Sequence, residues 1–119
     1  MKKIYIVFRT EFEGSHFYPG AGSIDPRIKF LENEHRHMFK VEVKMEVFHQ
    51  NRDEEFFLCK WRLNDFIQSG QMNHKSCEMI ADDILKNHLI PTYGQRYFQV
   101  TVSEDGESDG IIEYESNLE

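Results

Sequence analysis

Two long segments of this chain alternate apolar and polar side chains with a period of two, and this pattern limits the possible folds more than any other feature. In residues 3–16 the apolar side chains fall mainly at even positions, and in residues 35–48 they fall mainly at odd positions. Successive side chains of a β-strand point to opposite faces of its sheet. The sequence therefore predicts two long strands, each with one face packed against a core.

The middle of the chain has the periodicity of helices. Residues 61–68 predict a short helix that Gly70 ends. A second helix is expected to begin after Ser76, because a serine side chain can accept a hydrogen bond from a free backbone N–H of the first turn. Apolar residues then recur at helical spacing as far as His88. Pro91 is expected to stop this helix because proline has no backbone N–H to donate.

The remaining segments complete the order β-β-α-α-β-β, which is an α+β fold. Residues 97–104 and 111–115 predict two further strands, joined by a polar turn that begins at Asp105. Residues 56–58 are expected to form a short extended piece. Between the first two strands, residues 17–34 contain prolines and glycines that break regular structure, and connections of that length are often functional.

Length and composition limit the class of protein. The chain has 119 residues, which suits a single domain over residues 1–119. The formal net charge of −7 argues against a nucleic-acid or anionic-membrane surface, because both need clustered lysine and arginine. There is no signal-peptide pattern and no apolar stretch of membrane-spanning length, so we expect a cytoplasmic protein. The tail, residues 116–119, is expected to be frayed.

Three histidines lie on the predicted inward faces of the two long strands. His35 and His37 are two residues apart at the start of the second strand and share the parity of its buried residues. His16 shares the inward parity of the first strand and lies at its end. If the two strands pair antiparallel, all three imidazoles converge at one end of the sheet. Three histidines suit Zn²⁺, with a fourth position left open for water or a substrate.

Glu104 has the inward parity of the third strand and lies at its predicted end. A buried carboxylate is costly unless it is paired or engaged by a ligand. Glu104 could therefore accept two hydrogen bonds from the N–H and NH₂ edge of a heterocycle. The alternative is that the strand ends earlier and that Glu104 is solvated beside Asp105.

These residues fall in four segments that together match a family signature. The segments are Phe12–His16, Glu34–Val43, Ser76–Ala81 and Val100–Glu104. The signature is Phe-x-x-x-His, a His-Gly-His motif that opens the second strand, a Thr/Ser-Glu pair that starts the second helix, and a Glu that ends the third strand. The chain thus resembles the 6-pyruvoyltetrahydropterin synthase and 6-carboxytetrahydropterin synthase family, whose members have the tunnelling fold.

The resemblance implies a fold, a site and an activity. The fold would be a four-stranded antiparallel sheet with two helices on one face, assembled into a β-barrel by a homo-oligomer, a trimer or a hexamer. The implied Zn²⁺ ligands are His16, His35 and His37. Glu104 would hold the pterin ring, and Ser76 and Cys77 would belong to the substrate site. The implied activity is that of a lyase on 7,8-dihydroneopterin triphosphate or a close pterin, in a tetrahydropterin or queuosine pathway.

The chain departs from this family at the groups that would move protons. Arg36 replaces the glycine between the histidines, and the preceding connection lacks the cysteine that the family usually has. Some members use a glutamate in a Glu-x-x-His context, which makes Glu32 a candidate acid or base. The alternative is that Glu32 is an ordinary charged residue of the connection. In place of the family's Asp-His relay stand Asn73 and His74, and His74 is the second catalytic candidate.

Three functions are compatible with these residues. The first is a zinc-dependent enzyme that forms a 6-substituted tetrahydropterin. The second is a relative with altered catalysis that binds a pterin, a purine or a protein partner without synthase activity. The third is a cupin, because His35, His37 and Glu42 imitate a cupin metal motif. The parity of Glu42, opposite to that of His37, argues against the third.

Overall fold

The computed structural model describes residues 1–116, which form a four-stranded antiparallel sheet and several helices in an α+β arrangement. The strands are β1 (Ile4–His16), β2 (His35–Val47), β3 (Phe98–Glu104) and β4 (Ser108–Tyr114). The helices are α1 (Ala21–Ile24), α2 (Phe56–Ser69), α3 (Cys77–Ile84) and α4 (Ile90–Tyr93), with a 3₁₀ helix at Pro26–Glu32 and a π-helical turn at Leu85–Leu89. Within residues 1–116, no helix has both the length and the apolarity needed to cross a membrane. The frayed tail predicted for residues 116–119 lies mainly outside the described residues.

The strand order is β1-β2-β3-β4, and the two long strands pair antiparallel without a bulge. Ile4 lies opposite Val47 at one end of the β1–β2 pair, and His16 lies opposite His35 at the other. On the other side of β2, Phe39 lies opposite Glu104. The predicted strands and the predicted inward parity of His16 are therefore confirmed.

The core lies between one face of the sheet and the helices. The sheet contributes buried residues of β2 and β3, chiefly Val41, Val43, Met45, Phe98, Val100 and Val102. The helices contribute Leu63, Ile67, Ile80 and Ile84. On the opposite face, Arg9 forms an ion pair of 2.9 Å with Glu42. Glu42 therefore points away from the histidines, which removes the cupin-like motif.

The prediction of a short extended piece at residues 56–58 is wrong, because α2 already begins at Phe56. The carboxylate of Glu55 accepts hydrogen bonds from the backbone N–H groups of Phe57 and Leu58. A side-chain acceptor at this position satisfies N–H groups that have no partner inside the helix. The cap therefore overrides the strand preference of two adjacent phenylalanines.

The expectation that Pro91 stops the second helix is also wrong. The backbone continues from α3 through the π-helical turn into α4, and Pro91 lies in the first turn of α4. Proline is tolerated in a first turn, where an N–H needs no intrahelical partner. The segment ends instead at Gly94, whose φ of 82° favours glycine.

Two connections are more ordered than the sequence predicts. The segment between β1 and β2 contains α1 and the 3₁₀ helix rather than only irregular backbone. The turn between β3 and β4 is confined to residues 105–107, and Gly110 pairs with Val102 inside β4. A Cβ on Gly110 would come within 2.9 Å of the Glu78 backbone nitrogen. Glycine thus allows β4 to approach the start of α3, which forms one wall of the site.

Candidate metal centre and its cavity

Three imidazoles meet at the end of the β1–β2 pair. The ring centroids of His16 and His35 are 4.6 Å apart, and His37 lies 4.9 Å from His35 and 5.1 Å from His16. One ring nitrogen of each histidine lies within 4.8 Å of those of the other two. The sequence-based prediction that these residues converge is confirmed, and the cluster could hold a metal ion.

The Nδ1 atom of each ring has an acceptor that orients the imidazole. His16 Nδ1 lies 3.1 Å from the carbonyl oxygen of Lys75, and His35 Nδ1 lies 2.9 Å from that of Asn33. His37 Nδ1 lies 2.6 Å from a carboxylate oxygen of Asp105. Carbonyl and carboxylate oxygens only accept hydrogen bonds, so each Nδ1 is assigned the proton. Each Nε2 then keeps a lone pair that can bind a metal.

The Nε2 side of the cluster contains an unsatisfied nitrogen. His37 Nε2 is buried and has no hydrogen-bond partner among the described residues. Glu104 lies on the same side, with carboxylate oxygens 3.4 Å from His16 Nε2 and 3.6 Å from His37 Nε2. A buried polar atom without a partner costs free energy, and coordination would remove that cost. The donor set fits a divalent transition metal, since imidazole suits zinc, copper, iron and nickel.

A cavity of about 560 Å³ opens beside the imidazoles. It is lined in part by His16, His35, Glu104, Phe17, Tyr18, His74, Ser76 and Cys77. Its volume lies in the range of small-molecule sites. The predicted substrate-binding residues are therefore brought together on the walls of one cavity, next to the histidine cluster.

The start of α3 supplies one wall of the cavity. The Ser76 hydroxyl accepts a hydrogen bond of 3.1 Å from the Met79 backbone N–H, which confirms the predicted N-cap. Cys77 is buried, and burial, followed by the nearby Glu104 and Glu78 carboxylates, raises the pKa of its thiol to about 11. At neutral pH Cys77 is therefore a neutral thiol. It is unreactive in this form, because the thiolate is the nucleophilic form of cysteine.

No known family model matches the chain, and no curated protein matches it either. The side chains of the site indicate what it can do chemically. The site combines three imidazoles, a carboxylate beside them and a cavity large enough for a heterocycle.

His74 reaches the cavity and has a carboxylate partner that the sequence did not reveal. Its backbone N–H donates to the carbonyl oxygen of Ser15 over 2.7 Å, which ties this connection to the end of β1. Its Nε2 lies 3.1 Å from Glu34 Oε1, which also accepts a 2.8 Å hydrogen bond from the Ser15 hydroxyl. The Ser15 and His74 hydrogen bonds lower the pKa of Glu34. Glu34 thus supplies the carboxylate that Asn73 lacks.

Glu32, the other catalytic candidate, lies in the connection before β2. Its carboxylate accepts a 2.8 Å hydrogen bond from the Gly22 backbone N–H. Glu32 is not among the residues that line the cavity. Its catalytic role stays a prediction, and its observed contact holds the 3₁₀ helix to α1.

Asp105 is a site residue that sequence reasoning missed. The only signal was an Asp-Gly pair after a strand, which indicates a turn. Besides His37, its carboxylate accepts a 2.9 Å hydrogen bond from the Met38 backbone N–H. The hydrogen bond from His37, followed by that from Met38, lowers the pKa of Asp105. A charged carboxylate therefore lies directly behind one of the metal-binding candidates.

Proposed function

We propose that this protein is a zinc-dependent enzyme that converts a pterin, 7,8-dihydroneopterin triphosphate or a close relative. The observation that carries the proposal is the buried Nε2 of His37, which has no partner in the described structure and lies beside Glu104 and two further imidazoles. Three neutral histidines with an open fourth position are a common catalytic zinc set. Bound zinc would polarise a hydroxyl or carbonyl oxygen of the ligand.

The cavity walls offer the contacts that a flat heterocycle needs. Glu104 can accept hydrogen bonds from adjacent N–H and NH₂ groups with its two carboxylate oxygens. The rings of Phe17 and Tyr18 line the same cavity and provide aromatic surface. Such a combination of one charged anchor with aromatic walls favours a ligand with a polar edge and an apolar face.

We assign the proton transfer to His74, with Glu34 as the residue that orients its imidazole. Histidine is the side chain best suited to exchange protons near neutral pH. The 3.1 Å contact with Glu34 Oε1 orients the imidazole, because the carboxylate can accept a hydrogen bond from Nε2. Glu32 is the competing candidate, and its contact with Gly22 directs it to the connection instead.

The fold supports a homo-oligomer of the tunnelling type. β1 and β4 are the outer strands of the open sheet and have no neighbour on their outer sides within residues 1–116. Exposed edges as long as the 13-residue β1 tend to pair with other chains. Pairing β1 of one copy with β4 of the next would close a barrel with rotational symmetry. Multi-angle light scattering should therefore give the mass of a trimer or a hexamer.

One observation favours a second function, a pterin- or purine-binding protein without synthase activity. Cys77 is the only cysteine among the residues that line the cavity, and its pKa of about 11 keeps the thiol protonated. The cysteine chemistry that is usual in the family that the sequence resembles would then be absent. In this case metal and ligand would bind, and no product would form.

A metal analysis followed by a turnover assay tests the proposal. The purified protein is analysed for bound metal, incubated with dihydroneopterin triphosphate, and its products are identified by mass spectrometry. Bound zinc with a new pterin product is the expected result. Zinc and ligand binding without product would favour the second function, and failure to take up stoichiometric zinc would contradict both.

Three variants identify the proton carrier. His74→Gln is expected to lower kcat by about 10²–10⁴-fold, the usual contribution of a general acid or base. His49→Gln is the matched control, since His49 also pairs with a carboxylate, Asp53, at 3.2 Å but lies outside the cavity. If Glu32→Gln abolishes turnover and His74→Gln does not, the assignment is reversed.

A further inference from the structure

We propose that Asp105 is a positioning residue for the metal centre, holding His37 in the tautomer whose Nε2 can bind the metal. The inference rests on the metal site of the proposed function and deepens it. His16 and His35 are oriented by backbone carbonyl oxygens. Of the three imidazoles, His37 alone has a side chain as its Nδ1 acceptor. Its orientation can therefore be altered by a single substitution.

Asp105 is itself held in place from two directions. Its backbone N–H donates to the carbonyl oxygen of Met38 over 2.8 Å, and one carboxylate oxygen accepts from the Met38 N–H over 2.9 Å. The other carboxylate oxygen is then directed at His37 Nδ1, 2.6 Å away. Asp105 has a φ of 55°, a conformation that aspartate tolerates better than most residues. The turn thus presents a fixed acceptor behind the imidazole.

His37 lies between two consecutive carboxylates, one on each side of its ring. Asp105 approaches Nδ1 at 2.6 Å, whereas Glu104 approaches Nε2 at 3.6 Å. A distance of 3.6 Å is outside the range of a hydrogen bond, and 2.6 Å is a short one to a charged acceptor. The proton therefore belongs on Nδ1. Without Asp105, Glu104 would favour a proton on Nε2, where the metal must bind.

Asp105→Asn tests this directly because it keeps the shape of the side chain. If the amide oxygen keeps the hydrogen bond from Met38 N–H, the amide NH₂ faces His37 Nδ1 and donates to it. His37 must then carry its proton on Nε2. We expect zinc affinity to fall by about 10–100-fold, the usual effect of losing such a partner. Asp109→Asn is the matched control. It removes the same charge from an exposed residue that lines the same cavity.

Zinc affinity is measured by competition with a chromophoric chelator, starting from metal-free protein. Asp109→Asn should bind zinc as tightly as the wild type, and an Asp105→Asn variant that does the same would overturn the inference. Nitrogen-15 NMR of the imidazoles in the metal-free wild type gives a second test that needs no variant. His37 protonated on Nδ1 is expected, and protonation on Nε2 would overturn the role of Asp105. A wild type that binds no zinc would instead refute the metal centre.

Discussion

His37 and His88 both have a buried Nε2 without a hydrogen-bond partner among the described residues, yet their surroundings differ. Around His37, two further imidazoles and Glu104 lie close to that side of the ring. Around His88, the neighbours are aromatic: Phe66 stacks at 5.1 Å and Tyr93 lies edge-on at 6.3 Å. An unsatisfied imidazole nitrogen therefore indicates a ligand only where other donors converge on the same space.

The charged groups around the two rings differ as well. Burial, followed by the positive charge of Arg62, lowers the pKa of His88 below its usual value of 6.5. His88 therefore packs between the helices as a neutral aromatic ring. His37 has a carboxylate at Nδ1, and a carboxylate behind the ring is typical of a histidine that binds metal. One histidine is part of the core, and the other is poised to bind a cation.

The largest expected effect is on metal binding. His37→Ala should weaken zinc binding by more than about 100-fold, since even the loss of a partner behind a ligand costs 10–100-fold. His88→Leu should leave zinc affinity unchanged, because within residues 1–116 His88 belongs to no group of converging metal donors. Chelator competition measures both. Equal zinc affinities in the two variants would remove the distinction between the histidines.

Zinc should also stabilise the wild type against unfolding. At a free zinc concentration of 100 times Kd, ligation adds about 2.7 kcal/mol to the free energy of unfolding. For a chain of this length, Tm should rise by roughly 10 °C. The rise should persist in His88→Leu and disappear in His37→Ala. Thermal unfolding with and without zinc gives the measurement, and an equal rise in both variants would contradict the site.

Part of the pH dependence of stability should be traceable to His88. The pKa of His88 is lower in the folded state than in the unfolded state. Just below pH 6.5, the unfolded chain therefore binds a proton at His88 that the folded protein does not bind. The stabilising contribution is complete above pH 6.5 and is lost as the pH falls through the interval between the two pKa values. Urea unfolding of metal-free protein at several pH values should show a weaker acid destabilisation in His88→Leu. The same slope in both proteins would show that His88 does not titrate in this way.

The smallest expected effect on metal binding is that of Glu104→Gln. Removing a nearby negative charge that is not itself a ligand should cost zinc binding about 0–1 kcal/mol, up to roughly fivefold. Binding of the proposed pterin ligand should fall much more, because the amide can no longer accept two hydrogen bonds from the ring edge. Isothermal titration with each ligand separates the two roles. A zinc loss as large as that of His37→Ala would make Glu104 a fourth ligand.

Much of the metal cluster could be predicted because strand periodicity is local. His16, His35 and His37 share the inward parity of their strands, and the bulge-free pairing of β1 and β2 preserves that parity over 13 residues. The N-cap at Ser76 was predictable for the same reason, since a cap involves residues three apart. Local prediction was wrong at Phe56 and Pro91. There, the Glu55 cap and the π-helical turn outweighed residue preference.

By itself the sequence determined which faces of the strands carry the histidines and Glu104, because alternation follows from the geometry of an extended backbone. Only the tertiary structure decided which side chains orient His37 and His74. Asp105 and His37 are 68 residues apart in the chain, and Glu34 and His74 are 40 apart. Contacts over such separations depend on how turns bring strand ends together, and no local pattern encodes that distance. The faces of the candidate metal centre were predictable, and the groups behind its histidines were not.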